Sequence, residues 1–177
     1  MYIASGRRQD YRHDVMAYDF KNTRVLVLED SGAMRKLLRN MLLAIGVGEV
    51  VDMTDAGLAY IKMKMAPVDF ALVDWEMYPV MGLEFVRRIR TERDSPNPFL
   101  PIIMVTAHTE RERVIKARDL GITEFLAKPI SAQSLAQRIE ELVDRPRPYV
   151  RTSSYFGPCR RRKRGGIFSG VERRQNV

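Results

Sequence analysis

The sequence predicts an α/β fold: a doubly wound, five-stranded parallel sheet with helices on both faces. Two observations support this prediction. Apolar runs of strand length alternate with helical segments, and the runs are continuously apolar, as expected for strands buried on both sides. The runs are Val25–Leu28, Glu49–Met53, Phe70–Val73, Ile102–Val105 and Ile122–Leu126. Strict alternation implies parallel strands joined by right-handed crossovers, which place helices on both faces of the sheet.

The helical segments are recognised by the spacing of their apolar residues. The clearest helix follows the first strand, because its apolar residues recur three and four positions apart and Gly46 is a natural stop. These residues are Met34, Leu37, Leu38, Met41, Leu42 and Ile45. The other helices are predicted at Asp55–Met65, Gly82–Arg93, Thr109–Leu120 and Ser131–Asp144.

Size and composition favour one globular domain. A chain of 177 residues is long enough for one well-buried domain. No uninterrupted apolar stretch approaches the ~18 residues that a membrane span requires. Cys159 is the only cysteine, which excludes an intramolecular disulfide and favours a reducing compartment. A cytoplasmic location is therefore expected.

The charge of the chain is concentrated near its C-terminus. Of the net charge of +8, residues 145–177 contribute +9 through ten Lys/Arg and the single acid Glu172, which leaves residues 1–144 near neutrality. This predicts an N-terminal extension over residues 1–23, a folded domain over residues 24–144 and a basic tail over residues 145–177. The tail is expected either to be flexible or to dock as an extended arm.

Two features of the tail bear on these alternatives. Tyr149, Tyr155 and Phe156 are candidates to pin its first half onto the domain. The run Arg160–Arg164 suits nucleic acid or an anionic membrane. A solvated tail or a contact with an acidic partner is favoured over both, because such charge runs are unspecific.

Polar residues follow the predicted strands where parallel strands would end at one edge of the sheet. Glu29 and Asp30 follow the first strand, Asp74 the third, Thr106 the fourth and Lys128 the fifth. Functional groups of open α/β sheets gather at this edge. We therefore expect three acids, one hydroxyl and one ammonium to converge there, a set that suits Mg²⁺ and a phosphoryl group.

Each of these residues also has a simpler interpretation. Asp30 or Ser31 could cap the first helix, and Asp74 alone is more often a loop acid. Thr106 alone would be a strand-terminal residue and Lys128 a solvated lysine, although Lys128-Pro129 allows a cis peptide that aims the ammonium inward. The joint pattern at successive strand ends favours the site over these separate explanations.

The chemistry that this set would support is phosphoryl transfer to a carboxylate. Attack by ionised Asp74 on phosphorus gives an acyl phosphate. Mg²⁺ prefers a few carboxylates together with water and phosphate oxygens, which suits Glu29, Asp30, Asp74 and the backbone carbonyl of Glu76. Thr106 could hydrogen-bond a phosphoryl oxygen, and Lys128 could pair with it.

These residues together resemble a known family. Residues 24–144 resemble the receiver domain of bacterial response regulators, in a stand-alone form like the chemotaxis regulator. The resemblance implies a flavodoxin-like sheet with strand order 2-1-3-4-5 and Mg²⁺ held by the acids. It implies a phosphoryl group accepted by Asp74 from a histidine kinase or a histidine phosphotransfer protein. Thr106 would be the switch hydroxyl and Phe125 the switch aromatic, with a plain core role for Phe125 left open.

The chain departs from the usual family pattern at several positions. The first acid is Glu29 where Asp is more usual, and Tyr78 stands between Met77 and Pro79. Glu76 and His108 lie two positions beyond Asp74 and Thr106, where they are expected to shield or orient the attacking water. We therefore predict that these two side chains set the lifetime of the phosphoryl group.

The resemblance also bears on output. Because no second folded domain follows in this sequence, the chain is expected to signal by contact with an unknown output protein or to relay the phosphoryl group. The expected output face comprises the Thr109–Leu120 helix, the fifth strand and the Ser131–Asp144 helix. A dimer that forms on phosphorylation is left open. The protein is expected not to be an enzyme, apart from intrinsic autodephosphorylation.

Three other classes fit the sequence less well. A phosphohydrolase with an aspartyl nucleophile typically needs a second aspartate where Glu76 stands, together with a cap domain. A nucleotide- or flavin-binding module would need a Gly-rich loop after Leu28, where Glu29 and Asp30 occur instead. A nucleic-acid-binding protein with a basic tail would reveal itself by strongly salt-dependent binding.

Overall fold

The computed structural model describes residues 18–108 and 110–160 of the chain. Its main strands are β1 (Arg24–Leu28), β2 (Glu49–Met53), β3 (Phe70–Asp74), β4 (Ile102–Thr106) and β5 (Glu124–Ala127). They form one parallel sheet in the order β2-β1-β3-β4-β5. β3 and β4 are buried along their whole length, whereas the edge strands β2 and β5 are partly exposed. The predicted fold class and strand order are confirmed.

Five helices cover the two faces of this sheet. They are α1 (Gly32–Ile45), α2 (Ala56–Met65), α3 (Gly82–Thr91), α4 (Arg111–Asp119) and α5 (Ala132–Asp144). α1 and α5 bury their apolar residues on one face, and α2, α3 and α4 cover the other. The predicted bounds of these helices and strands differ from the observed ones by at most two residues. None of the helices in the described part of the chain is long and apolar enough to cross a membrane.

Local signals explain where the helices begin and end. The Ser31 hydroxyl accepts from the Met34 amide at the start of α1, and Gly46 ends that helix with a φ of 100°. Asp55 caps α2 by accepting from the Leu58 amide at 2.7 Å. Ser131 and Ser134 form a reciprocal capping box at the start of α5. Each cap satisfies backbone groups that a helix end leaves without an intrahelical partner.

The folded part extends beyond residues 24–144 at its N-terminal side. Phe20 is 7 % exposed and packs in the core beneath α1 and α5. Its carbonyl accepts from the amides of Thr23 and Gly48, each at 2.9 Å. Tyr18 donates a hydrogen bond to Asp144 at the end of α5. The domain therefore begins before Arg24, and residues 1–17 of the expected extension lie outside the described residues.

The first part of the basic tail is folded, so the expectation of flexibility is wrong for residues 145–160. Strands β6 (Tyr149–Arg151) and β7 (Phe156–Pro158) pair antiparallel and form a hairpin. The rings of Tyr149 and Phe156 meet the ring of Phe99 edge-on, with centroid distances of 5.3 and 5.2 Å. Tyr155 is 8 % exposed. Residues 145–160 therefore dock onto the domain, as the second alternative predicted, and Tyr149, Tyr155 and Phe156 are the aromatic residues that pack there.

The rest of the tail cannot be described in the same way. Arg160 belongs to the described residues, and its guanidinium lies 3.2 Å from the Asp119 carboxylate. The other members of the basic run, residues 161–164, lie outside the described residues. The role of that run therefore stays a prediction. The alternatives are a solvated tail and a contact for nucleic acid, membrane or an acidic partner.

The hairpin covers a buried arginine at the amino-terminal edge of the sheet. Arg90 is 3 % exposed and donates to the carbonyls of Pro98, Leu100 and Gly121 at 2.9, 2.7 and 3.0 Å. No acidic side chain among residues 18–108 and 110–160 forms an ion pair with it, and burial lowers the pKa of Arg90. Tyr149 places its ring 5.3 Å from the guanidinium. The cation is therefore stabilised by neutral carbonyl oxygens and by the ring that shields it from water.

Removal of the hairpin should destabilise the domain. A chain that ends after Pro146 should lose at least about 2 kcal/mol of unfolding free energy, because buried aromatic surface is lost and Arg90 is uncovered. Urea unfolding followed by circular dichroism measures the difference. The matched control is a chain that ends after Arg160, which keeps the hairpin and should stay within about 0.5 kcal/mol of the full chain. Equal stability of the two truncated chains would contradict a docking role.

Candidate functional site

Three acids meet at the carboxyl-terminal edge of the sheet. Glu29 and Asp30 follow β1, and Asp74 is the last residue of β3, which pairs directly with β1. One carboxylate oxygen from each residue lies within 4.8 Å of the others. Glu29 is 1 % exposed and Asp74 4 %, whereas Asp30 is exposed. The predicted convergence of these acids is therefore present.

Backbone hydrogen bonds orient the first two acids. The Ser31 amide donates to the Glu29 carboxylate at 3.0 Å, and the Tyr78 amide donates to the Asp30 carboxylate at 3.0 Å. Arg35 donates to the backbone carbonyls of both acids, at 3.0 and 3.3 Å. The cap of α1 is supplied by Ser31, so the alternative in which Asp30 caps the helix is excluded. The Asp30 carboxylate instead contacts the loop that follows β3.

Lys128 is the cation of this cluster. Its peptide bond to Pro129 is cis, the conformation that the sequence allowed. The Lys128 Nζ atom lies 2.8 Å from Asp74 Oδ1 and 3.6 Å from Glu29 Oε2. The ammonium contacts two of the three carboxylates, so the cluster carries excess negative charge when all its groups are ionised.

The protonation equilibria reflect burial and this crowding of charge. Burial raises the pKa of Asp74, and the contact with Lys128 opposes that effect without cancelling it. The pKa of Glu29 is raised by burial and then by the negative charge of Asp74. Burial alone would lower the pKa of Lys128, but its hydrogen bond and charge contact with Asp74 outweigh that effect and raise it. Added positive charge would therefore stabilise the ionised cluster.

The residues present fit a small hard cation. Glu29 Oε2 is buried and accepts no hydrogen bond from the described residues. Its closest cationic group, the Lys128 ammonium, is 3.6 Å away and therefore too far for a good hydrogen bond. A buried carboxylate oxygen without a donor is costly, and a metal ion would satisfy it. Carboxylate oxygens are the ligands that Mg²⁺ prefers, and a partly open cluster leaves room for its waters.

Thr106 and Phe125 occupy the strands on the other side of Asp74. Thr106 is 2 % exposed, and its hydroxyl accepts from the His108 amide at 2.8 Å. Its carbonyl accepts from the Lys128 amide at 2.8 Å, which ties the ends of β4 and β5 together. Phe125 is half-buried on β5 and packs against the core beneath α2, α3 and α4. Thr106 is thus joined to the Lys128 backbone at the end of β4, and Phe125 contacts the core.

Glu76 and His108 form a contact that the sequence did not reveal. His108 Nε2 and Glu76 Oε1 are 2.5 Å apart, and His108 Nδ1 lies 3.7 Å from the Glu110 carboxylate. The hydrogen bond from His108 lowers the pKa of Glu76. Both residues are predicted from the sequence to set the lifetime of the phosphoryl group. Nothing in the sequence indicates that their side chains touch. Their contact joins the loop after β3 to the loop after β4 beside Asp74.

Gly82 is a further residue that sequence reasoning missed. A Cβ atom at this position would lie 1.9 Å from the Asp74 carbonyl oxygen and 2.9 Å from Val73 Cγ1. Any larger residue would therefore push α3 away from β3. The sequence predicts only that a helix begins at Gly82. The spacing of apolar residues does not reveal that two backbone segments approach each other closely.

The fold and this cluster together define an α/β domain with a buried acidic site, which is the receiver class. The response regulator receiver domain family matches residues 25–140, so the chain belongs to that family. It is 30% identical over 122 residues to chemotaxis protein CheY of Pseudomonas aeruginosa, covering 69% of this chain and 97% of the relative. It is 28% identical over 125 residues to CheY-3 of Vibrio cholerae serotype O1, covering 71% and 95%.

Solved structures agree with this assignment. CheY4 of Vibrio cholerae superposes with a TM-score of 0.62 at 29% identity, covering 67% of this chain and 97% of that one. The receiver domain of the histidine kinase CKI1 from Arabidopsis thaliana, complexed with Mg²⁺ and BeF₃⁻, superposes with a TM-score of 0.60 at 26% identity, covering 69% and 91%. The chain is therefore a CheY-like receiver, and receiver domains are the phosphoacceptor class of two-component signalling.

The raised carboxyl pKa values predict an unusual pH dependence when metal is removed. With EDTA, the folded chain binds more protons than the unfolded chain between the ordinary pKa of 4.5 for Glu29 and its raised folded value. Stability should therefore fall as pH rises through that window. Glu29→Gln should flatten this fall and raise the unfolding free energy at neutral pH, as measured by urea unfolding at a series of pH values.

The control for this experiment is Glu112→Gln, which neutralises an exposed acid of α4. It should leave the pH dependence unchanged. An unaltered slope in Glu29→Gln, or a loss of stability at neutral pH, would contradict the assignment of excess negative charge to this cluster. Addition of Mg²⁺ should stabilise the unmodified chain more than Glu29→Gln, because the variant loses one anionic oxygen.

Proposed function

We propose that this chain is a response regulator that accepts a phosphoryl group on Asp74 with Mg²⁺ bound and then signals by protein–protein contact. The observation that carries the proposal is the Asp74 carboxylate, 4 % exposed, with the Lys128 ammonium at 2.8 Å and two further acids beside it. A carboxylate so placed is held at the sheet edge where reactive groups gather. Membership of the receiver family supports the same role.

The proposed transfer is a displacement at phosphorus. An Asp74 carboxylate oxygen forms a bond to phosphorus while the bond from phosphorus to the donor nitrogen breaks, and the donor imidazole recovers its electron pair. The product is an acyl phosphate, and Asp74 must be ionised to attack. Glu29, Asp30, Asp74 and the carbonyl of Glu76 would hold Mg²⁺, which supplies charge neutralisation for the phosphoryl oxygens.

Lys128 and Thr106 would act on the phosphorylated form. The Lys128 ammonium, now 2.8 Å from Asp74, would pair with a phosphoryl oxygen as charge develops there. The Thr106 hydroxyl, now engaged by the His108 amide at 2.8 Å, would turn to donate to a second oxygen. Space vacated by Thr106 would let Phe125 repack toward it. The signal would then be a shift between two packings of α4, β5 and α5.

The proposed partners follow from this chemistry. The donor is a histidine kinase or a histidine phosphotransfer protein, and the output protein binds the face formed by α4, β5 and α5. The protein is assigned to the cytoplasm, where both classes of donor present their phosphohistidine and where a single unpaired cysteine stays reduced. A dimer formed on phosphorylation would use the same face.

Phosphorylation should be detectable directly. Incubation of the full chain with acetyl phosphate and Mg²⁺ should add the mass of one phosphoryl group, measured by intact mass spectrometry, and hydroxylamine should remove it. Asp74→Asn should abolish the adduct, and EDTA should prevent it. The matched control is Asp69→Asn, just before the opposite end of β3, which should phosphorylate normally. No adduct from acetyl phosphate or from any kinase would indicate a receiver that works without phosphorylation.

The Glu76–His108 contact should lengthen the life of the acyl phosphate. Hydrolysis requires water to attack phosphorus while the bond to the Asp74 oxygen breaks, and these two side chains bridge the loops beside that oxygen. Glu76→Ala and His108→Ala should each speed loss of phosphate several-fold, up to about tenfold, as expected from one lost hydrogen bond of about 1 kcal/mol. The decay of the mass adduct after removal of the donor measures the rate.

The control for this pair is Glu110→Ala, which removes only the longer contact of 3.7 Å to His108. It should change the decay rate less than either of the other variants. The double variant of Glu76 and His108 should decay about as fast as each single variant, because both remove the same bridge. An unchanged rate in both single variants would show that the assignment is wrong.

A further inference from the structure

A groove runs between α3 and α4 on the outer surface of the domain. Its volume is about 450 Å³. Apolar residues form most of its lining, and three charged side chains border it. The lining residues are Pro79, Val80, Met81, Leu83, Glu84, Arg87, Lys116 and Leu120. The groove is open along its length. This shape suits one face of a bound peptide better than an enclosed small molecule.

The apolar surface of this groove is exposed in the isolated chain. Met81 is 47 % exposed, and Tyr78 on the same loop is 85 % exposed. α4 fully buries a single residue, Ala117, among its described residues, whereas Val114 and Ile115 are half-buried. Contiguous exposed apolar surface with a polar border is typical of a protein interaction site. The groove therefore has the character of an interface.

The border of the groove is positively charged on the α4 side. Lys116 lines the groove, and Arg113 lies one turn earlier on the same helix. Neither forms an ion pair with an acid among residues 18–108 and 110–160. On the α3 side, Glu84 is neutralised by two hydrogen bonds from Arg87, at 2.6 and 2.8 Å. The positive charge of Arg113 lies near enough to Glu76 to help lower the pKa of that carboxyl, so among the described residues the lining cation without an ion pair is Lys116.

We propose that this groove binds an acidic, amphipathic segment of a partner protein. The apolar side of such a segment would cover Met81, Leu83 and Leu120, and a carboxylate of the segment would pair with Lys116. The tail of this chain is a poor occupant, because residues 161–177 carry six Lys/Arg against one acid and would be repelled. The groove shares α4 with the proposed output face and extends the contact surface to α3 and to the loop after β3.

The groove is held in shape at both ends. At one end, Leu120 lies between Asp119, which pairs with Arg160 at 3.2 Å, and Gly121, whose carbonyl accepts from Arg90 at 3.0 Å. At the other end, Pro79–Met81 belongs to the loop after Asp74, and Gly82 packs on the Asp74 carbonyl. A preformed site loses little conformational freedom on binding. The groove is present in the unphosphorylated chain, so binding is expected without phosphorylation.

An unbiased peptide selection tests this inference without a known partner. A phage-displayed library of random peptides is selected on the full chain, and binders are assayed against variants by fluorescence polarisation. The enriched peptides should have apolar residues spaced three and four apart and a net negative charge. Met81→Ser and Lys116→Glu should each weaken binding at least tenfold, with folding verified by thermal unfolding.

Matched controls come from α2, which has an exposed apolar stripe of its own. Met65 is 79 % exposed, and Lys62 lies on the same helix. Met65→Ser and Lys62→Glu should leave peptide binding unchanged. Asp74→Asn should also bind normally, so failure of this inference and failure of the proposed phosphorylation give different results.

Several outcomes would overturn the inference. Enriched peptides that are neutral or basic would contradict the charge argument, and equal losses in the α2 variants would indicate unspecific apolar adhesion. Tighter peptide binding to a chain ending after Arg160 would show that the tail occupies the groove. A concentration-dependent mass that Met81→Ser abolishes would assign the groove to a second copy. Absence of any peptide that depends on Met81 would exclude a peptide site.

Discussion

The main physical constraint on this structure is a buried cluster of like charges. Glu29 and Asp74 are both buried, Asp30 lies within 4.8 Å of them, and Lys128 supplies a single ammonium. Burial and mutual repulsion both disfavour ionised carboxylates, and one cation offsets this only in part. The arrangement persists because rigid strands hold it. Such a site gains from added positive charge, which the proposed metal ion would supply.

At the opposite edge of the sheet the buried charge is positive, and it is stabilised in a different way. Arg90 is buried there without an acidic partner, and its guanidinium donates to three backbone carbonyls while the hairpin excludes water. Neutral acceptors satisfy the donors without making the edge acidic. Because Gly121 and Asp119 are both tied to this region, the C-terminal end of α4 is anchored while its N-terminal end faces the acidic site. Movement coupled to Asp74 would therefore concentrate at the N-terminal end.

More could be predicted from the sequence about the sheet than about the hairpin and the loops around it. The register of Glu29, Asp74 and Lys128 could be predicted, because each residue directly follows an apolar run and parallel strands end at one edge. The hairpin could not be placed, since Tyr149 and Phe156 alone do not indicate which surface receives them. The Glu76–His108 contact also escaped prediction, because it depends on how two loops approach each other.

The sequence by itself determined the sheet, its helices and the acids at its edge, because apolar periodicity and strand-end position are local properties that survive without knowledge of packing. Only the tertiary structure decided that Ser31 rather than Asp30 caps α1, that Gly82 must remain small and that residues 145–160 fold onto the domain. Those outcomes depend on distances between segments far apart in the chain. Such distances are set by packing of the whole domain, which no single segment encodes.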